Sequence, residues 1–297
     1  MSLDVHAYMK ERARAVDEAL ERALPPESAP PETIHRAMRY SVFAGGKRLR
    51  PVLVIAGAEA VGGGMDDVMP TACAMELIHT YSLVHDDLPA MDDDDFRRGR
   101  PTSHKVFGEA MAILAGDALL TRAFRLLAEN FRPGMDGRVL RDVLAEIADA
   151  AGTDGMVGGQ VADLEAEGRE VTPEALDGIH LHKTAALIRA SIRAGAALCG
   201  ATAAQLQVLG VAGTSLGLAF QIVDDLLDVT GTTAELGKTA GKDQAQRKAT
   251  YPALHGLEAS RARAEALMAE ARGALRPFGP AAEALQALGQ FVLDRRA

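Results

Sequence analysis

The sequence predicts an all-α protein built as one domain, and three observations carry that reading. Ala, Leu, Glu, Arg and Met dominate the 297 residues, while alternating β-branched runs are nearly absent, so local propensity favours helix throughout. Gly and Pro clusters cut the chain into roughly ten segments long enough to be helices. None of the clusters is long enough for an interdomain linker, so residues 1–297 are read as a single unit.

The breaks fall, in order, at Pro25-Pro26 with Pro30-Pro31, Gly45-Gly46 with Pro51, Gly62 to Gly64, Pro89, Pro101, Pro133-Gly134, Gly152 and Pro173. They continue at Gly200, Gly231, Gly237 with Gly241, Pro252, and Pro277 with Gly279-Pro280. Hydrophobic residues at 48% and charged residues at 25% exclude a disordered or collagen-like chain. A net charge of −9 argues against a general nucleic-acid binder, which needs a basic face. With 4% aromatics and no Trp, binding by stacking is not favoured. Cys73 and Cys199 cannot make a disulfide framework. No stretch of about 18 residues is free of both charge and strong polarity, so no membrane span is expected. Met1 to Arg14 carries Asp4, Lys10, Glu11 and Arg12 with no apolar run after them, unlike a secretory signal. A cytoplasmic protein is the expectation.

Two acidic motifs hold the chemistry. From Gly217 to Val229 the chain reads GLAFQIVDDLLDV, with Gln221, Asp224, Asp225 and Asp228 as its strongly polar residues. At about 100° per residue these four share a stripe roughly 100° wide, and the remaining circumference is apolar. Such a helix is buried, so its carboxylates repel unless a cation sits among them. Either Arg or Lys from a neighbouring helix or a hard divalent cation with oxygen ligands can supply that charge, and the second reading is preferred.

The other motif, HDDLPAMDDDD, spans His85 to Asp95 at the end of a largely apolar segment. Pro89 disfavours helical geometry at Leu88, so the helix is expected to stop there, with Asp86 and Asp87 in its last turn. Asp92 returns on the loop, and His79 lies two turns before Asp86 on nearly the same face. The helix dipole already places negative potential at this end, so the carboxylates imply a cationic partner. Asp93, Asp94 and Asp95 read equally well as an exposed charged loop.

Cations form islands at Lys47, Arg48 and Arg50; Arg97 and Arg98; His182 and Lys183; and Lys238, Lys242 and Lys248. In an acidic chain, such islands suggest anion binding, with Gly46 permitting close backbone approach and Arg50 able to grip a phosphate bidentately. The stretch from Gly231 to Thr239 has one residue too many between its glycines for a phosphate-binding loop. The run 92–95 lacks the glycine and glutamate of an EF-hand.

The stretches GGKRLRP (45–51), ELIHTYSLVHDDLPAMDDDDFRRGRPTSH (76–104), AILAGDALL (112–120), GGQVADLEAEG (158–168), IHLHKTAALIRA (179–190), GLAFQIVDDLLDVTG (217–231) and LGKTAGKDQAQRKATYPAL (236–254) resemble the trans-isoprenyl diphosphate synthases, especially the bacterial farnesyl diphosphate synthases. The resemblance implies a helical bundle around a deep apolar cavity with both Asp motifs at its mouth, and head-to-tail condensation of isopentenyl diphosphate with an allylic diphosphate. It implies Mg²⁺, three ions in the family, bridging Asp86, Asp92 and Asp224 to the allylic diphosphate, with Asp87, Asp225 and Asp228 completing the acidic sets. Arg97, Lys183, Gln221, Lys238 and Lys248 would contact the allylic substrate, and Gly46, Lys47, Arg50, His79 and Arg98 would hold isopentenyl diphosphate. Oxygens of Lys183, Thr184 and Gln221 would stabilise the carbocation, with Asp86 and Asp224 as the principal catalytic carboxylates. A homodimer, with helices around 104–130 at its interface, follows by the same resemblance.

Product length in such enzymes is set by bulk below the first motif. Ser82 lies one turn under Asp86, about 6 Å along the axis, and Tyr81 about 7.5 Å. An aromatic at 81 with the longer DDLPAMD form matches enzymes that stop at C15, whereas Tyr81 as plain core packing leaves C20 or C10 open. A terpene cyclase would usually lack the second basic site of Lys47, Arg50 and His79. A non-catalytic partner subunit would tend to lose one Asp motif, and this chain keeps both.

Overall fold

A computed structural model describes residues 3–230 and 249–295. These are helical nearly throughout. The helices are α1 (Val5–Ala23), α2 (Glu32–Val42), α3 (Leu49–Glu59), α4 (Met65–Asp86), α5 (Ser103–Phe107), α6 (Glu109–Glu129) and α7 (Gly137–Ala151). They continue with α8 (Met156–Ala166), α9 (Pro173–His180), a π-helical turn (Leu181–Ala185), α10 (Ala186–Leu198), α11 (Ala203–Thr230), α12 (Tyr251–His255), α13 (Leu257–Leu275), a 3₁₀ segment (Arg276–Ala282) and α14 (Glu283–Leu293). Strands appear only as a small antiparallel hairpin among the described residues, Phe96–Arg97 against Arg100–Pro101. Arg98 and Gly99, both at positive φ, make its two-residue turn.

α3 and α10 form the centre. Val54, Ile55 and Ala58 face one apolar cluster shared with α1, α2, α4, α6 and α7. Val52, Leu53 and Ala56 face a second cluster shared with α11, α13 and α14. The two central helices cross closely because a Cβ at Gly57 would overlap the Ile192 carbonyl and one at Gly195 the Val54 carbonyl. α11 is long and apolar enough to cross a membrane by length and composition. It is instead a core helix, packed between α10 and α13 with over half of that apolar window buried. Cys73 and Cys199 are both free thiols.

The first acidic motif ends its helix two residues sooner than Pro89 alone implies. α4 closes at Asp86 because the loop supplies amides to the helix-end carbonyls: Asp92 N donates to Asp86 O at 2.8 Å and Asp94 N to Asp87 O at 3.2 Å. Glycines also set the π-turn in place. A Cβ at Gly159 would overlap the Lys183 backbone, and one at Gly217 would overlap Ala185, so α8 and α11 both lie hard against residues 181–185.

One cation of the first basic island is structural. Arg48 turns inward at φ 49° and is 3% exposed, donating to Glu76 at 2.7 Å, Asp17 at 2.8 Å and the Val42 carbonyl at 2.7 Å. Glu76 is 1% exposed, so removing Arg48 strands a buried carboxylate. Arg48→Met is expected to destabilise the protein by about 3–5 kcal/mol in guanidinium denaturation, and the double variant with Glu76→Gln to regain most of that loss.

Candidate active site

A cavity of about 740 Å³ opens among α4, α8, the π-turn and α11, with Arg50 of α3, Ile113 of α6 and the loop after α4 completing its wall. Its lining divides by chemistry. Tyr81, Leu88, Met91, Ile113, Met156, Val157, Val161 and Leu164 make an apolar surface. Arg50, His79, Asp86, Arg97, Arg98, Lys183, Thr184, Gln221 and Asp224 bring polar groups to the same space.

Asp86 and Asp224, from different helices, both open onto this cavity. Burial pushes the Asp86 carboxyl up to about 6; Lys183 opposes that shift, and the neighbouring Asp92 and Asp87 add to it. Two of the remaining acidic residues are tied back. Asp87 is buried and salt-bridged to Arg97 Nη2 at 2.6 Å, outside the cavity lining. Asp225 accepts from Gln221 Nε2 at 3.0 Å and from Tyr251 N at 3.0 Å, with His180 Nε2 at 3.6 Å. Asp228 is buried on the same helix, and Asp92 is half-buried on the loop. The donor set suits a hard divalent cation: carboxylate oxygens on two helices, one held protonatable near neutrality by its burial.

Thr184 Oγ1 donates to Gln221 Oε1 at 2.8 Å, which hands the amide on to Asp225. That uses the hydroxyl proton and leaves the Thr184 oxygen lone pairs unspent. Lys183 Nζ is held by Asp163 at 2.7 Å.

A cationic corner occupies another part of the wall. Arg50, His79, Arg97 and Arg98 line the cavity together. Burial pulls the Arg50 guanidinium down to about 10, with Arg98 adding like-charge repulsion. Burial and the guanidiniums of Arg50, Arg98 and Arg97 hold His79 well below the usual imidazole range. Arg50 Nε and His79 Nδ1 are buried without a hydrogen-bond partner among the described residues. Arg98 sits at φ 54° and donates to the Gly45 carbonyl, and Gly46 packs against its guanidinium so closely that a Cβ there would displace it.

Gly46 and Lys47 line an adjacent groove of about 700 Å³ with Met9, Phe291 and Arg295, rather than the main cavity. Arg295 joins the two spaces: it reaches Asp224 at 3.3 Å and lies 4.6 Å over the Phe220 ring. Lys238 and Lys248 lie outside the described residues. The loop 93–95 is mixed. Asp93 and Asp95 are exposed and share a neighbourhood within 4.8 Å with a ring nitrogen of His104, whereas Asp94 is buried against Arg97 at 3.3 Å.

Tyr81 is 7% exposed and meets His85 edge-on, with ring centroids 5.8 Å apart. Ser82 turns its hydroxyl to the His79 carbonyl at 2.9 Å while still lining the cavity. Sequence reasoning missed His85, Gln160, Asp163 and Arg295. The first three stand inside the quoted motifs, His85 one turn after Tyr81 and Gln160 and Asp163 three residues apart on α8. Arg295 carries no local signal, being 71 residues from Asp224.

Residues 31–276 match the family model described as Polyprenyl synthetase. The chain is 50% identical, over 99% of its length and 80% of the relative's, to a heterodimeric geranylgeranyl pyrophosphate synthase large subunit of Arabidopsis thaliana. It is 49% identical, over 86% of both chains, to a farnesyl diphosphate synthase of Geobacillus stearothermophilus. The crystal structure of a geranyltransferase from Helicobacter pylori, complexed with magnesium and isoprenyl diphosphate, superposes with a TM-score of 0.85 at 33% identity, covering 99% of this chain and 98% of that one. With a model match over well more than half its length and relatives of this similarity, the chain belongs to the polyprenyl synthetase family, the prenyltransferases.

Proposed function

We propose that the protein condenses isopentenyl diphosphate with dimethylallyl or geranyl diphosphate and releases farnesyl diphosphate, a C15 product. The observation that carries this reading is the opening of Asp86 and Asp224 onto one cavity beside the Arg50–His79–Arg98 corner. An acidic pair calls for a cation and a cationic corner calls for an anion, so the wall accommodates two diphosphates held in different ways. In this reading Asp86, Asp92 and Asp224, with Asp87, Asp225 and Asp228 behind them, hold Mg²⁺. When bound, magnesium supplies Lewis-acid stabilisation of the charge that gathers on the departing diphosphate. The named magnesium in the Helicobacter pylori relative supports the choice of metal.

The chain's own residues do the rest. Lys183 and Arg97 neutralise the leaving diphosphate as the allylic C–O bond breaks and its electron pair moves onto oxygen. Thr184 Oγ1, with its proton committed to Gln221, turns lone pairs toward the carbocation left behind. Arg50, Arg98 and His79 anchor isopentenyl diphosphate, whose double bond forms the new carbon–carbon bond. The proton then lost goes to the released diphosphate, so no separate protein base is required. The apolar wall excludes water that would quench the cation.

Tyr81 is proposed as the stop that limits the product to C15. A farnesyl diphosphate synthase among the relatives supports that length. The geranylgeranyl synthase name of another makes C20 the competing product. The proposed assembly is a homodimer through α5 and α6, where Val106, Leu114 and Phe124 are exposed apolar side chains along one stretch of chain.

Asp86→Ala or Asp224→Ala is expected to lower turnover by roughly 10³-fold or more at saturating Mg²⁺, measured as diphosphate release from isopentenyl and geranyl diphosphates. A loss under tenfold excludes these carboxylates as primary ligands. Tyr81→Ala should lengthen the products beyond those of the unaltered enzyme, read by chromatography after labelled isopentenyl diphosphate is supplied with dimethylallyl diphosphate. Leu114→Arg should convert the dimer to a monomer in light scattering, and an unchanged mass would place the interface elsewhere.

A further inference from the structure

Tyr81 does not stand alone in the cavity wall. One helical turn on, His85 lines the same cavity and presents its ring to Tyr81 in an edge-to-face arrangement, with an interplanar angle of 80°. The imidazole is itself clamped. Its Nε2 lies 3.0 Å from the Ile113 carbonyl of α6, and a carbonyl only accepts, so Nε2 carries the proton and donates. The Nε2 edge of the ring also abuts α6 at Gly116, where a Cβ would overlap Nε2 and the ring carbons on either side of it. Gly116 is therefore the position that lets the ring approach the α6 backbone.

We propose that His85, seated on Gly116 and bonded to Ile113, is a specificity-determining positioning residue that sets product length by fixing Tyr81. A tyrosine on a helix face can yield to a growing chain by rotating about its side-chain torsions. His85 blocks that movement on one side. The hydrogen bond to α6 ties the block to a second helix, so it cannot swing away at the same low energetic cost as a free side chain. The wall becomes rigid because two helices hold it, and neither His85 nor Gly116 need touch a reacting atom. Ile113 joins the hydrogen bond through its backbone while its side chain lines the cavity, so the clamp and the wall are continuous.

This inference rests on the reading of Tyr81 as the stop, and a four-way comparison separates the two. Unaltered enzyme, His85→Ala, Tyr81→Ala and the double variant are given dimethylallyl diphosphate with labelled isopentenyl diphosphate, and products are resolved at matched total conversion. His85→Ala should raise the ratio of products longer than the natural one by at least about tenfold, the low side of what an apolar contact discriminates. The double variant should give the same distribution as Tyr81→Ala alone, because a residue acting through Tyr81 has nothing left to act on. His85→Phe, which restores a ring but not the donor, should fall between His85→Ala and the natural enzyme. A purely structural pin between α4 and α6 would change thermal stability and leave the length ratio unmoved. Lengthened products from Tyr81→Ala beside unchanged products from His85→Ala overturn this proposal alone, as does an additive shift in the double variant. Unchanged products from Tyr81→Ala overturn the reading of Tyr81 as the stop, and this proposal with it.

Discussion

The structure depends on keeping carboxylates at helix surfaces that face away from bulk water. A buried carboxylate loses hydration, and a second one nearby raises the cost again. The protein meets this constraint in two ways within each motif. Asp87 is bonded to Arg97, and Asp225 is bonded to Gln221 and the Tyr251 amide, so each has donors on hand. Asp86 and Asp224 instead open onto the cavity, with Lys183 and Arg97 near the first and Arg295 reaching the second. The paired members brace the helix ends, and the cavity members keep their oxygens toward the space a ligand would enter.

Close packing places those helices. Gly57 and Gly195 bring α3 against α10, which orients Arg50 from one side of the core. Gly159 and Gly217 press α8 and α11 onto the π-turn that carries Lys183 and Thr184. A π-turn adds a residue to the helical repeat and so redirects side chains at a chosen point. Here it lets Lys183 and Thr184 reach the cavity while Ala185, the next residue, is buried against Gly217.

Much of this was legible in the sequence, for reasons that can be named. The all-α architecture followed from helix-forming composition without strand alternation, and the polar stripe of α11 from its helical period. The hairpin was not legible, since a two-residue turn at Arg98-Gly99 leaves no periodic trace. Arg48 looked like one of three equivalent cations, and only its left-handed backbone turns it toward Glu76 while Arg50 faces the cavity. Asp94 was indistinguishable from Asp93 and Asp95 by composition; its burial depends on Arg97 folding back from the hairpin. The separation of Gly46 and Lys47 into a neighbouring groove depends on α1 and α14 meeting there, a tertiary fact with no local signal.

The two charged sectors of the cavity are displaced in opposite senses. Asp86 is pushed toward its neutral, protonated form, whereas Arg50 and His79 are pushed toward their neutral, deprotonated forms. Burial explains both directions, because a low dielectric disfavours whichever form carries charge. Direct pairing across the cavity would relieve both, yet Arg50 Nε and His79 Nδ1 keep no hydrogen-bond partner among the described residues. The fold therefore carries an electrostatic cost on each wall, of the kind proteins keep at functional sites. In the proposed reading, a diphosphate end in the cationic corner and a divalent ion among the carboxylates would relieve the two costs separately. On that reading, binding at each wall would draw on strain built into the fold, leaving the apolar lining between them to shape the hydrocarbon.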